Sequence, residues 1–144
     1  MMQSTAVAVW RGGLSEGHGS LSGGNETFQG APFTSNFRNQ VPGTTNPEEL
    51  LAAAHASCFS LTLSMILSGD EFAVGKIETE ATITLEKTPE GLAITKSHLN
   101  VHAIVPGAAP ERFIEAAKQA EIECPISKLI QGGVTMEAHL IDIG

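Results

Sequence analysis

The sequence predicts a single α+β domain with antiparallel strand pairing, and three observations support this. An apolar stretch at residues 50–67 is long enough for a central helix. Residues 76–87 alternate in hydrophobicity, which is typical of a strand, and a turn separates them from a return strand at residues 92–104. Apolar and charged residues then follow a helical period from Pro110 onwards. Since 144 residues fit one ordinary domain, we expect residues 1–144 to form one.

The segment before the apolar stretch has the composition of strands and turns. Residues 5–11 are rich in β-branched and other apolar side chains, which favours a strand. Residues 12–36 are rich in Gly, Ser and Asn, which favours turns and short hairpin strands over a helix.

The central helix has a strong start signal. Asn46 can cap the helix, Pro47 fits the first helical position, and Glu48 and Glu49 suit the positive end of the helix dipole. We expect the helix to run to about Leu67. Because it is apolar nearly all round, it needs cover that the strands of one small domain supply only in part. A symmetric homodimer, with central helices from both chains packed together, would supply the rest.

The C-terminal part predicts two helices and a strand. Pro110 opens a helix, and Cys124 falls at its end. Pro125 is expected to start another short helix. Residues 133–143 predict a last strand.

The composition limits the kinds of partner. The net charge of −8 argues against nucleic acid or an anionic membrane.

The N-terminus has no basic segment followed by an apolar one, so we expect no secretory signal and a cytoplasmic protein. Residues 50–67 are long enough to raise the question of a membrane span, but their five Ser, Thr and His residues favour a buried core helix. A cytoplasmic chain should keep its thiols reduced at rest.

The two cysteines are the main candidates for chemistry. Cys58 lies inside the apolar helix, where burial raises the pKa of a thiol, so it needs a nearby cation to react as a thiolate. Arg38 is the best candidate cation, and Glu48 is a plausible partner for Arg38. Glu48 and Cys58 are separated by roughly 15 Å along a straight helix. If both serve one site, either the helix is broken between them or Glu48 comes from a second subunit.

Cys124 would sit at the N-terminus of the next helix, where the dipole favours a thiolate. A sulfenic acid on Cys58 could condense with Cys124 to form a disulfide, which depends on tertiary approach. Two inert buried thiols are an equally good interpretation from cysteine placement alone.

Other candidate sites have little support. His55 is interpreted as a packed or capped histidine rather than a catalytic base. His98 and His102 would lie about 13 Å apart on one strand, too far to share a small ion. The Gly-rich stretch matches no phosphate-binding pattern. We therefore expect no metal and no cofactor.

Three motifs together resemble the OsmC/Ohr family of thiol peroxidases. They are TNPEEL at residues 45–50, AAHASCFS at residues 53–60 and CPIS at residues 124–127. Their order and spacing fit across residues 5–143. The His-Ala-Ser-Cys version around Cys58 looks like the OsmC branch of the family.

The resemblance implies an intertwined homodimer, in which long central helices pack against antiparallel sheets. It also implies that Cys58 is the peroxidatic cysteine and Cys124 the resolving one. Arg38 corresponds to the active-site arginine of the family, and Glu48 to its glutamate.

The implied function is the reduction of organic hydroperoxides, with hydrogen peroxide as a second candidate substrate, in oxidative or osmotic stress defence. An external dithiol, of lipoyl or thioredoxin type, would reopen the disulfide. An apolar lining around Phe59, Leu61 and Phe37 would favour organic peroxides. The alternative is a redox-responsive binding or scavenging module that uses the same thiols without efficient turnover.

Overall fold

The structure, a computed structural model, describes residues 1–35 and 42–142. It divides into two compact units, Met1–Leu50 and Leu51–Gly144. The expectation of one domain over the whole chain stays a prediction. The elements in chain order are β1 (Ala6–Arg11), β2 (His18–Gly23), β3 (Ala31–Phe33), α1 (Pro47–Gly69), β4 (Lys76–Thr88), β5 (Gly91–Ile104), α2 (Pro110–Glu123), α3 (Pro125–Leu129) and β6 (Val134–Leu140).

The first unit contains a three-stranded antiparallel sheet in the order β1-β2-β3. β1 and β2 pair from Ala6 with Gly23 to Arg11 with His18. Gly19 of β2 lies against the ring of Phe33, because a Cβ at this position would come within 2.4 Å of the ring. The predicted strand near the N-terminus and the short hairpin strands after it are confirmed.

The chain leading into α1 is tied to the same sheet. The Thr34 N–H donates to the Thr45 carbonyl at 2.9 Å, and the Thr45 N–H donates to the Pro32 carbonyl at 3.0 Å. The Asn46 side-chain oxygen then accepts the Glu49 N–H at 2.9 Å. This is the bond of an N-cap residue, so the predicted helix start is confirmed.

The second unit contains a sheet in the order β4-β5-β6. β4 and β5 form the predicted antiparallel pair, joined by a tight turn at Thr88 and Gly91. The prediction of antiparallel pairing is wrong for β6, which pairs parallel with β5 from Ser97 with Val134 onwards. The reason is that α2 and α3 carry the chain back across the sheet, so β6 starts at the same end as β5.

The hydrophobic core of this unit lies between the two long helices and one face of β5. Every second residue of β5 from Ser97 to Ala103 is buried, as expected for a strand that covers a core on one face. The buried apolar residues contributed by the three elements are Phe59, Leu63 and Leu67 of α1, Leu99, Val101 and Ala103 of β5, and Phe113, Ala116, Ala117 and Ala120 of α2.

α1 has the length and composition of a membrane-crossing helix, with a mean hydropathy of 1.8 over its most apolar window. Core helices of soluble proteins pass the same test. Because its buried residues are part of the core, we describe α1 as a core helix. Its opposite side is open in the single chain, since Leu61 is 74% exposed and Met65 is 64% exposed.

Candidate functional site

The two thiols lie side by side, although they are far apart in the sequence. Cys58 is half-buried in the middle of α1, and Cys124 is fully buried; both are free thiols. The Cys124 side chain interacts directly with that of Cys58. Cys124 occupies the joint between α2 and α3, where its N–H donates to the Ala120 carbonyl and its own carbonyl accepts the Lys128 N–H. The fold therefore brings the two candidate redox residues together.

Cys58 is not activated by the described residues around it. Burial raises its pKa above the ordinary value, and the neighbouring Cys124 raises it further. The Ile126 N–H and the Thr62 hydroxyl act in the opposite direction, by hydrogen bonding, but do not outweigh burial. No cation is among these groups in the part of the chain that the structure describes. These described groups together therefore favour the protonated thiol over the thiolate.

Cys58 sits at the edge of the buried face of α1. Because each residue turns an α-helix by about 100°, Thr62 and His55 flank Cys58 on the core side, while Leu61 and Met65 flank it on the exposed side. His55 and Thr62 are buried, and Leu61 and Met65 are open to solvent. Cys58 is therefore half-buried, at the boundary between the core and the exposed side of α1.

Of the predicted arginine and glutamate, only Glu48 belongs to the residues that the structure describes. Arg38 lies outside the described residues. Glu48 is half-buried in the first turn of α1, and its Oε2 atom is buried without a hydrogen-bond partner among the described residues. α1 is one uninterrupted helix from Pro47 to Gly69, so the broken-helix alternative is excluded.

His55 is a buried, fully bonded histidine, as the sequence predicts. It is 0% exposed; its Nδ1 lies 2.6 Å from the Ser97 Oγ and its Nε2 lies 2.7 Å from the Ser127 Oγ. Burial lowers its pKa, so the ring is neutral at neutral pH. Sequence reasoning missed both serines. The available signal was Ser127, which belongs to the CPIS motif.

Three of the other histidines, His98, His102 and His139, lie on one face of the second sheet. His98 contacts the Thr135 hydroxyl at 2.6 Å and a Glu137 carboxylate oxygen at 3.1 Å. The rings of His102 and His139 stack with their centroids 4.7 Å apart. Within residues 1–35 and 42–142 no group of three or more His, Cys, Asp or Glu side chains has the geometry to hold a metal ion.

A groove of about 730 Å³ lies elsewhere in the second unit, lined by side chains that include Phe113, Ile114 and Leu140. Neither cysteine lines it. Because the reactive atoms are absent from its walls, the candidate site is the neighbourhood of Cys58 rather than this groove.

Comparison with known proteins places the chain in a family. The family model described as OsmC-like protein matches residues 40–139. The chain belongs to the OsmC-like family. It is 35% identical over 133 residues to a protein of Escherichia coli named Peroxiredoxin OsmC, an alignment that covers 92% of this chain and 93% of that one. It is also 34% identical over 95 residues to Organic hydroperoxide resistance protein-like 2 of Staphylococcus epidermidis, covering 65% of each chain.

Solved structures confirm the OsmC-like α+β fold. An OsmC-like protein from Vibrio cholerae superimposes with a TM-score of 0.78 at 20% identity, covering 96% of this chain and 99% of that chain. The organic hydroperoxide resistance protein OhrB of Bacillus subtilis gives a TM-score of 0.62 at 24% identity, covering 95% and 98%. The fold class predicted from the motifs is therefore correct.

Proposed function

We propose that this OsmC-like thiol peroxidase reduces organic hydroperoxides, with Cys58 as the peroxidatic thiol and Cys124 as the resolving thiol. The observation that carries the proposal is the proximity of the two side chains: Cys58 packs against the core cluster that contains Cys124, and the two thiols interact. The names of the relatives, a peroxiredoxin and an organic hydroperoxide resistance protein, support the same chemistry.

The proposed reaction has three steps. The Cys58 thiolate attacks the distal oxygen of the hydroperoxide, the O–O bond breaks, and the substrate leaves as an alcohol after taking up a proton. Cys58 is then a sulfenic acid. The Cys124 sulfur attacks the Cys58 sulfur, water leaves, and a disulfide forms. An external dithiol, of lipoyl or thioredoxin type, reduces the disulfide and is itself oxidised to a disulfide.

Arg38 is proposed to supply the positive charge that Cys58 lacks. A guanidinium stays protonated when partly buried, and its fixed fork of donors also suits the developing charge on the peroxide oxygen. Glu48 is proposed to orient Arg38. Its buried Oε2 atom supports this role, because a buried carboxylate oxygen without a partner is costly unless a donor outside the described residues satisfies it.

The active form is proposed to be a cytoplasmic homodimer. Leu61 and Met65 leave an apolar strip along α1 that a second copy of α1 would cover. Since α1 is unbroken, Glu48 of the partner subunit would be the one that serves Cys58. At the edge of this interface, an apolar substituent of the substrate would be buried beside Leu61, and the favourable burial of apolar surface supports a preference for organic hydroperoxides over hydrogen peroxide.

The proposal is tested by intact-protein mass after addition of one equivalent of cumene hydroperoxide. We expect the wild type to lose two hydrogen atoms, as a disulfide forms. Cys58→Ser should show no change, and Cys124→Ser should gain one oxygen atom on Cys58. Steady turnover with a dithiol should follow in the wild type and be abolished in Cys58→Ser.

Two results would contradict the proposal. An unchanged mass in the wild type would mean that the thiols are inert. A disulfide that forms without turnover, whichever dithiol is supplied, would favour a redox-responsive binding module instead.

A further inference from the structure

A buried network of hydrogen bonds, here called the His55 network, links three elements of the second unit beside the thiols. His55 of α1 contacts Ser97 of β5 at 2.6 Å and Ser127 of α3 at 2.7 Å. His55 and Ser97 are 0% exposed, and Ser127 is 9% exposed. A buried hydrogen bond between side chains of three separate elements fixes their relative position, because breaking it leaves unsatisfied polar atoms in the core.

One end of the His55 network is Ser127, which lies on α3, the helix that faces Cys58. α3 follows directly after Cys124, and the N–H of Ile126 donates to the Cys58 sulfur. Ser127 is the next residue. On α1, His55 precedes Cys58 by three positions, so the two side chains lie on adjacent parts of one helix face. The contact from His55 to Ser127 therefore closes a small ring of residues around the thiol.

The other end of the His55 network is Ser97, which lies on β5. The Ser97 hydroxyl contacts His55, while the Ser97 N–H donates to the Gly133 carbonyl at 3.0 Å. Gly133 lies in the connection between α3 and β6. Ser97 thus holds the segment that follows α3 through its backbone, and α3 itself through His55.

We propose that His55 and Ser127 are positioning residues that hold α3 so that the Ile126 N–H and the Cys124 thiol stay against the Cys58 sulfur. This inference rests on the proposed function. It assigns His55 no proton transfer to the thiol, because both ring nitrogens already contact serine hydroxyls. A neutral imidazole has one donor and one acceptor, and a hydroxyl can act as either. Both ring nitrogens of His55 therefore have a hydrogen-bond partner in either tautomer.

The test uses Cys124→Ser as the parent, so that only Cys58 reacts. Ser127→Ala removes the hydroxyl that binds His55 from α3, and Ser127→Thr keeps a hydroxyl at this position. The matched control is Ser60→Ala, which breaks another contact between elements, the 2.8 Å contact of Ser60 with Thr79, on the other side of α1. The measurement is the pH profile of the reaction of Cys58 with cumene hydroperoxide, together with the ultraviolet thiolate signal.

We expect Ser127→Ala to react about three- to tenfold more slowly than its parent at neutral pH, the effect of one lost hydrogen bond. Its thiolate should appear at higher pH, because the Ile126 N–H no longer stabilises it. Ser127→Thr should restore the parent rate, and Ser60→Ala should keep it. With Cys124 present, Ser127→Ala should also close the disulfide more slowly than the wild type.

The outcomes separate the two proposals. A parent that consumes no peroxide overturns the proposed function itself. A reactive parent whose profile is unchanged by Ser127→Ala overturns the positioning role alone. If Ser127→Ala does not fold, Ser97→Ala is used instead, because it breaks the hydrogen bond between β5 and His55. It must shift the pH profile in the same direction, or the inference fails.

Discussion

Single residues in this protein acquire their chemistry from what packs against them. Cys58 and Cys124 have the same side chain, yet one lies at the edge of the core and the other inside it. The sequence predicted that Cys58 would be a poor thiolate without a cation, and the direction of its pKa agrees, since burial is the largest cause. His55 was predicted as a packed histidine, and it is one. Its two serine partners were beyond prediction, because they come from distant parts of the chain.

The buried His55 should make stability depend on pH. Its pKa in the folded chain lies below the ordinary value of 6.5, because burial disfavours the charged ring. As pH falls below 6.5, the unfolded chain therefore binds a proton that the folded chain resists binding, and the free energy of unfolding decreases. We expect urea unfolding to show lower stability at about pH 5.5 than at neutral pH.

His55→Gln should remove part of that difference, whereas His18→Gln, which changes an exposed histidine of β2, should retain it. A pH dependence that is identical in wild type and His55→Gln would contradict this origin.

At the scale of the elements, local signals predicted the bounds well. Asn46 caps α1, and Pro110 and Pro125 begin α2 and α3 as expected. The direction of β6 was predicted wrongly, since it pairs parallel with β5. A strand's own residues determine its alternation of buried and exposed side chains, but its partner and direction depend on the route of the preceding connection.

The connection between α3 and β6 should be intolerant of side chains at Gly132. A Cβ there would lie 2.4 Å from the Ile94 carbonyl oxygen, a backbone atom that cannot move alone. We expect Gly132→Ala to lower the free energy of unfolding by about 1–3 kcal/mol in urea titrations, as overpacking does. Gly69→Ala is the matched control, because a Cβ at that position meets nothing within 4 Å. Equal stability of the two variants would mean that the connection moves away without cost.

At the scale of the whole molecule, the exposed strip on α1 is the feature that one chain leaves incomplete. We expect Leu61→Glu to shift the protein from dimer to monomer in light scattering, because it places a charge in the proposed interface. The monomer should stay folded, since Leu61 is 74% exposed in the single chain. Ile122→Glu changes an equally open residue of α2, 68% exposed, and should remain dimeric. A wild type that is monomeric at micromolar concentration would refute the dimer.

The sequence by itself determined the helices and strands, the start of α1, the family motifs and the identity of the candidate thiols. The helices, the strands and the start of α1 depend on caps, turns and periodicity, which act between residues close in the chain. The motifs and the thiols are visible in the sequence directly. Only the tertiary structure decided that Cys58 meets Cys124, that β6 runs parallel to β5 and that His55 bridges Ser97 and Ser127. The physical reason is that each of these contacts joins residues distant in sequence. Their approach is set by how the helices pack on the sheet, which no local pattern encodes.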